Sequence, residues 1–223
     1  MAGYEIKPVE VGDTEVILDL LRRTFFIDEP MNKAVGLCTE NRCSELEGYC
    51  RQYLPGDGWS WKAVDKEGNI VGVMINGISS LKEAEDGADF ISLAENCKNP
   101  KFAKILYVLG KREEGAKLWE KFPGEHEVLD VKIAATDPNW RKKGIMNALL
   151  FETENSAKQR SVRILRMDTS SAYSAMSAEK LGFTCMYSAP YSEIKMDGRP
   201  LIVPEPPHID DRVYTKILYE KNG

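Results

Sequence analysis

The segment from Leu129 to Leu150 is the part of the sequence that most constrains the fold. It reads as a short apolar β-run, a turn at Asp137-Pro138, a basic loop and an amphipathic helix. A strand that feeds a helix leaves backbone N–H groups unpaired at the helix N-terminus, where the positive end of the helix dipole also lies. Such a terminus binds phosphate oxygens well. We therefore predict a phosphate-binding strand–loop–helix unit here.

The basic loop differs from the two commoner phosphate-binding loops. The sequence has no glycine-rich loop that ends in Gly-Lys-Ser/Thr, and no three-glycine dinucleotide motif follows a predicted strand. The spacing is instead Arg141, two residues, Gly144, one residue and Met146. Taken alone, this pattern also fits a solvated basic start to a helix.

A second motif narrows the interpretation of the basic loop. Residues 179–183 read Glu-Lys-Leu-Gly-Phe at the end of a predicted helix. In this order the two motifs resemble those of the GCN5-related N-acetyltransferases, whose Arg/Gln-x-x-Gly-x-Gly/Ala loop grips the pyrophosphate of acetyl-CoA. The chain departs from the family at Met146, where most members have Gly or Ala, and at Ala178, where many have a tyrosine general acid.

The resemblance implies acetyl-CoA as the cosubstrate. The loop and the first helical turn would hold the pyrophosphate, the end of the preceding strand would pair with the pantetheine amides, and a strand N–H near Ala134 would polarise the acetyl carbonyl. A tyrosine further along would lie near the leaving thiolate. The residues assigned to the cofactor in this way are Ile133, Ala134, Ala135, Thr136, Arg141, Lys142, Lys143, Gly144, Ile145, Met146, Asn147 and Tyr173.

Apolar periodicity along the chain predicts alternating strands and helices. Strands are predicted at 4–9, 59–64, 70–78, 128–135, 162–167, 184–193 and 212–219. Helices are predicted from Asp13, from Ser44 with a capping box to Glu47, within 101–122, after Arg141 and at 173–181. This order predicts an α/β protein with a mixed, mostly antiparallel central sheet and helices on both faces.

The resemblance makes that expectation more specific. It implies the acyl-CoA N-acyltransferase fold, in which the strands at 128–135 and 162–167 splay apart to admit the pantetheine arm. We find no internal repeat and no linker long enough to divide the chain. We therefore expect residues 1–223 to form a single N-acetyltransferase domain.

The stretch Phe25–Asn32 supplies a candidate general base. Pro30 is predicted to end the first helix, and because it excludes the α conformation for the preceding residue, Glu29 is placed at the helix C-terminus. The negative end of the dipole and two aromatic neighbours would raise its pKa. The stretch resembles the Asp-Glu-Pro-hydrophobic-Asn stretch of insect arylalkylamine N-acetyltransferases, whose glutamate is the proposed base. Without that resemblance, a solvent-exposed turn is the simpler interpretation.

Two later stretches extend the resemblance. They are residues 169–174 (Thr-Ser-Ser-Ala-Tyr-Ser) and residues 206–208 (Pro-Pro-His). In the insect enzymes two serines and a late histidine line the site, which assigns Ser170, Ser174 and His208 as catalytic residues beside the glutamate. Plain N-capping by the serines and a surface position for the histidine are the alternatives.

The resemblance implies direct acetyl transfer from acetyl-CoA to the primary amine of an arylalkylamine such as dopamine, tyramine, octopamine, serotonin or tryptamine. Glu29 would help to deprotonate the amine, which attacks the thioester without a covalent enzyme intermediate. Aromatic residues that could wall the acceptor pocket are Phe25, Phe26, Tyr53 and Tyr187. The alternatives are transfer to a polyamine, agmatine or a hydrazine, and a coenzyme-binding module without catalysis.

Composition limits the classes of protein to which the chain can belong. A net charge of −5 and a pI near 5.3, with dispersed basic residues, argue against a nucleic-acid partner and suit a cationic substrate. No apolar run is long enough to predict a membrane span. The five cysteines, with no apolar leader, favour free thiols in the cytoplasm, and the spacing of Cys38, Cys43 and Cys50 does not suit a metal site. We expect a cytoplasmic monomer without a metal.

Overall fold

The computed structural model describes residues 3–38, 42–54, 56–85 and 90–220. Within them, seven strands form one sheet in the order β1-β2-β3-β4-β5-β9-β6, and β7 and β8 form a separate hairpin. The strands are β1 (Tyr4–Pro8), β2 (Trp61–Asp65), β3 (Ile70–Ser80), β4 (Glu127–Thr136), β5 (Ile164–Thr169), β6 (Thr184–Pro190), β7 (Lys195–Met196), β8 (Arg199–Pro200) and β9 (Asp210–Ile217). In the large sheet, the pair β4 and β5 is parallel and the other pairs are antiparallel.

Helices cover both faces of the large sheet. They are α1 (Thr14–Arg22), α2 (Phe25–Asp28), α3 (Pro30–Val35), α4 (Ser44–Gln52), α5 (Leu81–Glu85), α6 (Phe90–Glu95), α7 (Pro100–Ala116), α8 (Leu118–Lys121), α9 (Ile145–Gln159) and α10 (Ala172–Lys180). None of the helices in the described ranges is long and apolar enough to cross a membrane.

In the described part of the chain, the two largest of three hydrophobic cores lie on opposite faces of the sheet. In one core, helices α1, α2, α3, α4 and α7 pack against strand residues such as Val73 and Ile75. In the other, α9 and α10 pack against strand residues such as Met74 and Leu129. Adjacent residues of β3 reach different cores because successive side chains of a strand point to opposite faces. The predicted mixed, mostly antiparallel sheet with helices on both faces is confirmed.

Strands β4 and β5 separate part-way along their length. Their parallel pairing runs from Leu129 opposite Leu165 to Val131 opposite Met167, while β4 stays paired with β3 as far as Thr136. A register shift between β3 and β4 leaves one extra residue, at position 132, on β4. Because such a bulge bends its strand and increases the local twist, it helps β4 to leave β5. The splay that the resemblance implies is present here.

The sequence prediction that Pro30 ends the first helix is wrong. Helix α1 ends at Arg22, α2 follows, and Pro30 begins α3. Proline suits the first helical position because the N–H that it lacks would have no partner there. The capping box predicted for Ser44 and Glu47 also differs, since Cys43 is the N-cap of α4 and the Glu47 carboxylate accepts from Arg22 instead.

Gly72 on β3 marks a close approach of α9 to the sheet. A Cβ added to Gly72 would lie 2.7 Å from Cγ2 of the buried Ile145, the first residue of α9. We expect Gly72→Ala to lower the free energy of unfolding by about 1–3 kcal/mol through overpacking. Chemical denaturation measures this loss.

Gly48 on α4 offers a matched control. Nothing lies within 4 Å of a Cβ added there, and Gly48 lies inside a helix. Alanine should therefore keep the stability or raise it by up to about 1 kcal/mol. Equal effects of Gly72→Ala and Gly48→Ala would contradict the close approach described above.

Candidate active site

The N-terminus of α9 is open to solvent. Its N-cap, Gly144, has a φ of +81° and no side chain to cap the helix, and glycine adopts this conformation without strain. Among the described residues, the amides of Ile145, Met146 and Asn147 have no hydrogen-bond partner. The terminus of this 15-residue helix therefore presents aligned N–H donors and a positive dipole end.

The side chains around this terminus leave the donors accessible. Residues 141–144 are exposed, and Arg141 pairs with Asp28 at 3.0 Å on the surface. Such an exposed pair contributes little stability, so Arg141 can exchange Asp28 for another anion at small cost. The Met146 side chain packs against the core beneath α9, and the departure from the family at this position therefore leaves its backbone N–H available.

Glu29 is buried where α2 meets α3. It is the N-cap of α3, and its carboxylate accepts from the Met31 amide at 3.1 Å and the Asn32 amide at 2.6 Å. Glu29 has an extended backbone, as expected before a proline. However, its carboxylate faces the N-terminal, positive end of α3. The prediction that it faces the negative end of a helix dipole is therefore wrong.

The pKa of Glu29 is nevertheless raised above its usual value. Burial is the largest cause, because the ionised form loses its hydration. Hydrogen bonds from the Ser170 side chain and from the two α3 amides, together with the charge of Arg112, act in the opposite direction. The predicted direction of the pKa shift therefore agrees with the structure, but its cause is burial and not the dipole.

A cavity of about 310 Å³ lies beside Glu29, between the sheet and helices α3, α4 and α7. Aromatic side chains form one part of its wall: Phe25, Tyr49, Tyr53, Phe90 and Phe102. Charged side chains form another: Glu29, Glu83, Glu113, Asp130, Asp168, Arg112, Lys132 and Arg166. Ile133 and Ser170 also line the cavity, which therefore extends to the gap between β4 and β5.

A buried ion-pair network joins α7 to the sheet at this cavity. Arg112 donates to Asp211 at 2.5 and 2.9 Å and to Asp168 at 3.1 Å. Arg166 donates to Asp168 at 2.9 and 3.0 Å and contacts Glu113 at 2.6 and 2.9 Å. Although burial opposes ionisation, the charges of the two arginines lower the pKa of Asp168 to about 2. The network is therefore charged and internally compensated.

Lys132, the bulge residue of β4, belongs to the same wall. Its Nζ donates to Asp130 at 2.6 Å and to the Ser79 hydroxyl at 2.8 Å, and it lies 5.2 Å from the centroid of the Tyr53 ring. Burial lowers the pKa of this ammonium, but the charge of Asp130 and the hydrogen bond to it outweigh burial and raise the pKa. Lys132 is therefore a fixed cation inside the cavity.

Ser170 lines the cavity, whereas Ser174 and Tyr173 lie outside it on the first turn of α10. The Ser174 hydroxyl donates to the Ser171 carbonyl at 2.9 Å, and the Ser171 hydroxyl caps α10 by accepting from the Ser174 amide at 3.1 Å. Tyr173 is 65% exposed. The roles assigned to Ser174 and Tyr173 stay predictions.

His208 contacts the start of α10. Its Nδ1 accepts from the Ala172 amide at 3.2 Å, and its ring packs edge-on against Tyr173 with centroids 5.4 Å apart. Because Nδ1 accepts, a neutral ring carries its proton on Nε2. His208 therefore helps to fix the start of α10. It is not part of the wall of the described cavity, and its catalytic role stays a prediction.

The charged wall has a signal in the sequence that our motif analysis did not use. Asp130 and Lys132 alternate with apolar residues in β4, and Arg166 and Asp168 do so in β5. Charges at every second position of an apolar strand indicate a polar stripe on one face of a sheet. Arg112 and Glu113 of the same wall come from α7, for which the sequence motifs indicate no role.

The suggested aromatic residues divide between the cavity and the cores. Phe25 and Tyr53 line the cavity, while Phe26 is buried in a core. Tyr187 packs against α7, where a Cβ added to Gly115 would lie 2.1 Å from its ring.

The five cysteines are free thiols. Within the described ranges, no group of three or more His, Cys, Asp or Glu side chains could hold a metal ion.

A sheet whose β4 and β5 part, followed by a helix with an open N-terminus, is the architecture of the GCN5-related N-acetyltransferases. No protein-family model matches the chain, but solved structures confirm the fold. The chain is similar to arylalkylamine N-acetyltransferase 2 from Aedes aegypti, with a TM-score of 0.86 and 24% identity over 97% of this chain and 99% of that one.

Two further structures show the range of this fold. The chain is similar to a Drosophila melanogaster polyamine N-acetyltransferase that catalyses the formation of N-acetylagmatine, with a TM-score of 0.84 and 21% identity over 96% of this chain and 99% of that one. It is more distantly similar to NAA60 of Arabidopsis thaliana in complex with acetyl-CoA, with a TM-score of 0.55 and 16% identity over 96% and 99% of the two chains.

Proposed function

We propose that this protein is an N-acetyltransferase that moves the acetyl group of acetyl-CoA to the primary amine of an arylalkylamine. The observation that carries the proposal is the position of Glu29. It is a buried carboxylate with a raised pKa in the wall of a cavity that extends to the gap between β4 and β5. The open N-terminus of α9 follows the same strand β4.

The residues present suit acetyl-CoA as the cosubstrate. The amides of Ile145, Met146 and Asn147 and the side chain of Arg141 offer donors for a diphosphate. Strand β4 runs on to Thr136 beyond its last pairing with β5, which leaves strand edge for the amides of the pantetheine arm. The similarity to NAA60, which was solved with acetyl-CoA, supports this assignment.

The chemistry that follows is direct transfer. A primary amine arrives as an ammonium ion, and the Glu29 carboxylate accepts its proton directly or through a water molecule. The neutral amine attacks the thioester carbonyl, the carbon–sulfur bond breaks, and coenzyme A leaves as a thiolate that takes up a proton. Ser170 lines the cavity and lowers the pKa of Glu29, and its hydroxyl would hold the carboxylate in place. No acyl group is transferred to the protein.

The composition of the cavity wall supports an aromatic amine as the acceptor. Five carboxylates and three cations line it, and their excess of negative charge favours a cationic substrate. The aromatic part of the wall suits an aromatic ring. The similarity to the mosquito arylalkylamine N-acetyltransferase points to the same substrate class.

A polyamine or agmatine is the second candidate acceptor. Glu83 lies at the edge of the cavity, is exposed and forms no ion pair with another described residue. It could contact the second cation of such a substrate. The similarity to the Drosophila polyamine enzyme supports this alternative.

Release of coenzyme A tests the proposed function. The protein is incubated with acetyl-CoA and, in separate reactions, with tyramine, dopamine, serotonin, tryptamine, agmatine and putrescine. We expect thiol release with the arylalkylamines, and mass spectrometry should show one acetyl group on each amine. Coenzyme binding without thiol release from any amine would indicate a binding module and would contradict the proposal.

The coenzyme loop makes a separate prediction. Arg141→Ala should weaken the binding of coenzyme A by about 1–3 kcal/mol, because a charge-assisted contact to a phosphate is lost. Lys158→Ala, which removes a positive charge from the exposed other end of α9, is the matched control and should leave the affinity unchanged. Isothermal titration calorimetry compares the two variants, and equal affinities would count against the loop assignment.

A further inference from the structure

The proposed acceptor cavity contains a cation of its own. Lys132 is the extra residue of the β4 bulge, and its ammonium lies against Asp130 in the cavity wall. Lys62 on β2 is also buried in the sheet, but it pairs with Asp13 and does not line the cavity. Lys132 is therefore the lysine that faces a bound amine in the described wall.

We propose that Lys132 occupies the position in which the second cation of a diamine would otherwise pair with Asp130, so that the cavity accepts aromatic monoamines and rejects diamines and agmatine. This inference rests on the proposed function and specifies the substrate class of the same site. It makes Lys132 a specificity-determining residue.

Glu29 and Lys132 belong to different parts of the wall. Glu29 is held by the α3 amides and faces Ser170, which follows β5. Lys132 is held by Asp130 and by Ser79, which lies on β3. A substrate whose reacting amine lies at Glu29 can therefore extend its other end toward Lys132.

The remaining buried carboxylates of the wall are already paired. Glu113 and Asp168 contact Arg166, and Asp168 also contacts Arg112. Glu83, at the edge, is exposed, and a pair with it would gain little in water. A second substrate cation would therefore meet the Lys132 ammonium without a free buried carboxylate to compensate it, and such like-charge contacts are strongly unfavourable.

The surface beside Lys132 is suited to an aromatic ring. Tyr53 packs over Gly77 of β3, where an added Cβ would lie 2.5 Å from the ring carbon Cδ1. The Tyr53 ring also packs edge-on against Tyr49, with centroids 5.2 Å apart. An ammonium next to these rings attracts the face of a further ring through its quadrupole. The same group thus favours an aromatic substrate and disfavours a second cation.

Lys132→Met tests the inference, because methionine has a similar length and no charge. We expect the ratio of kcat/KM for agmatine to kcat/KM for tyramine to rise at least about tenfold, since Asp130 loses its partner at 2.6 Å, keeps the longer ion pair with Arg166 at 3.9 Å, and can pair with the guanidinium. Lys111→Met is the matched control. Lys111 pairs with Glu114 on the outer side of α7 and does not line the cavity, so its loss should leave the ratio unchanged.

The double variant Lys132→Met/Asp130→Asn shows whether the rise in the ratio is caused by the charge of Asp130 or by the space that the lysine leaves. Without that charge, the kcat/KM ratio of agmatine to tyramine should return to about the wild-type value. A folded Lys132→Met protein with an unchanged ratio would overturn the inference. If circular dichroism shows that Lys132→Met does not fold, competition in the wild-type protein decides: agmatine should inhibit tyramine acetylation with a Ki at least about tenfold above the KM for tyramine.

If the wild-type protein has equal kcat/KM values for agmatine and tyramine, the proposed role of Lys132 is wrong. That result would not contradict the proposed acetyl transfer. Absence of thiol release with every amine would instead refute the proposed function. The two failures are therefore distinguishable in one set of assays.

Discussion

Glu29→Gln is expected to lower kcat/KM for tyramine by about 10²–10⁴-fold at neutral pH, the usual contribution of a general base. Glutamine has the same shape and can still accept from an α3 amide, but it cannot take a proton from the ammonium substrate. Initial rates of thiol release measure the loss, and circular dichroism checks that the variant is folded. Glu15→Gln, an exposed carboxylate on α1, is the matched control and should keep wild-type rates.

The difference in rate between the wild type and Glu29→Gln should depend on pH. Because burial raises the pKa of Glu29, the wild-type rate should rise with pH as this carboxylate ionises above its usual range. In the variant only deprotonation of the amine remains, so its rate should approach that of the wild type as free amine becomes abundant near about pH 10. A loss of equal size at every pH would show that Glu29 does not act as the base.

Arg112→Met is expected to lower the free energy of unfolding by about 3–5 kcal/mol, because it leaves Asp211 fully buried without its paired cation. Lys111→Met, the neighbouring position on α7, removes the same charge from an exposed pair with Glu114 and should cost less than about 1 kcal/mol. Chemical denaturation of the two variants measures the difference. Similar losses would contradict the buried network.

The same network predicts that the effects of substitutions at Arg112 and Asp211 on stability are coupled and depend on pH. Arg112→Met/Asp211→Asn should recover part of the lost stability, because no uncompensated carboxylate is then buried. Burial already raises the pKa of Asp211 in the wild type, although Arg112 opposes this. Without Arg112 the folded-state pKa rises further, so the loss of stability should be small in acid and should grow as pH rises through that value. A double variant no more stable than Arg112→Met would refute the coupling.

The sequence predicts the local parts of this structure well. The strand–loop–helix unit around Gly144 depends on neighbouring residues, and the structure has β4, an open N-cap and α9 at this place. The long elements likewise follow from apolar periodicity. Pro30 shows where local signals become ambiguous, because a proline after Asp-Glu can follow one helix or begin the next. Here both occur, because α2 ends at Asp28 and α3 begins at Pro30. The Glu29 carboxylate accepts from the α3 amides, so the helix dipole that acts on it has the opposite sign to the predicted one.

The charged wall could not be predicted from local signals. Arg112 meets Asp211, which lies 99 positions further along the chain, and their contact depends on the packing of α7 over β9 and β5. The pKa of Glu29 has the same origin, because burial by distant elements outweighs the local hydrogen bonds. Alternating charges in β4 and β5 indicate that a polar face exists, but they do not indicate its partners.

A crystal structure with coenzyme A bound would show whether a diphosphate site on α9 leads to a base in the cavity. We expect the diphosphate oxygens to accept hydrogen bonds from the amides of Ile145, Met146 and Asn147. We also expect the coenzyme sulfur to enter the gap between β4 and β5 and to end in the cavity beside Glu29. A diphosphate bound elsewhere, or a sulfur on the side of the sheet away from Glu29, would refute the proposed site.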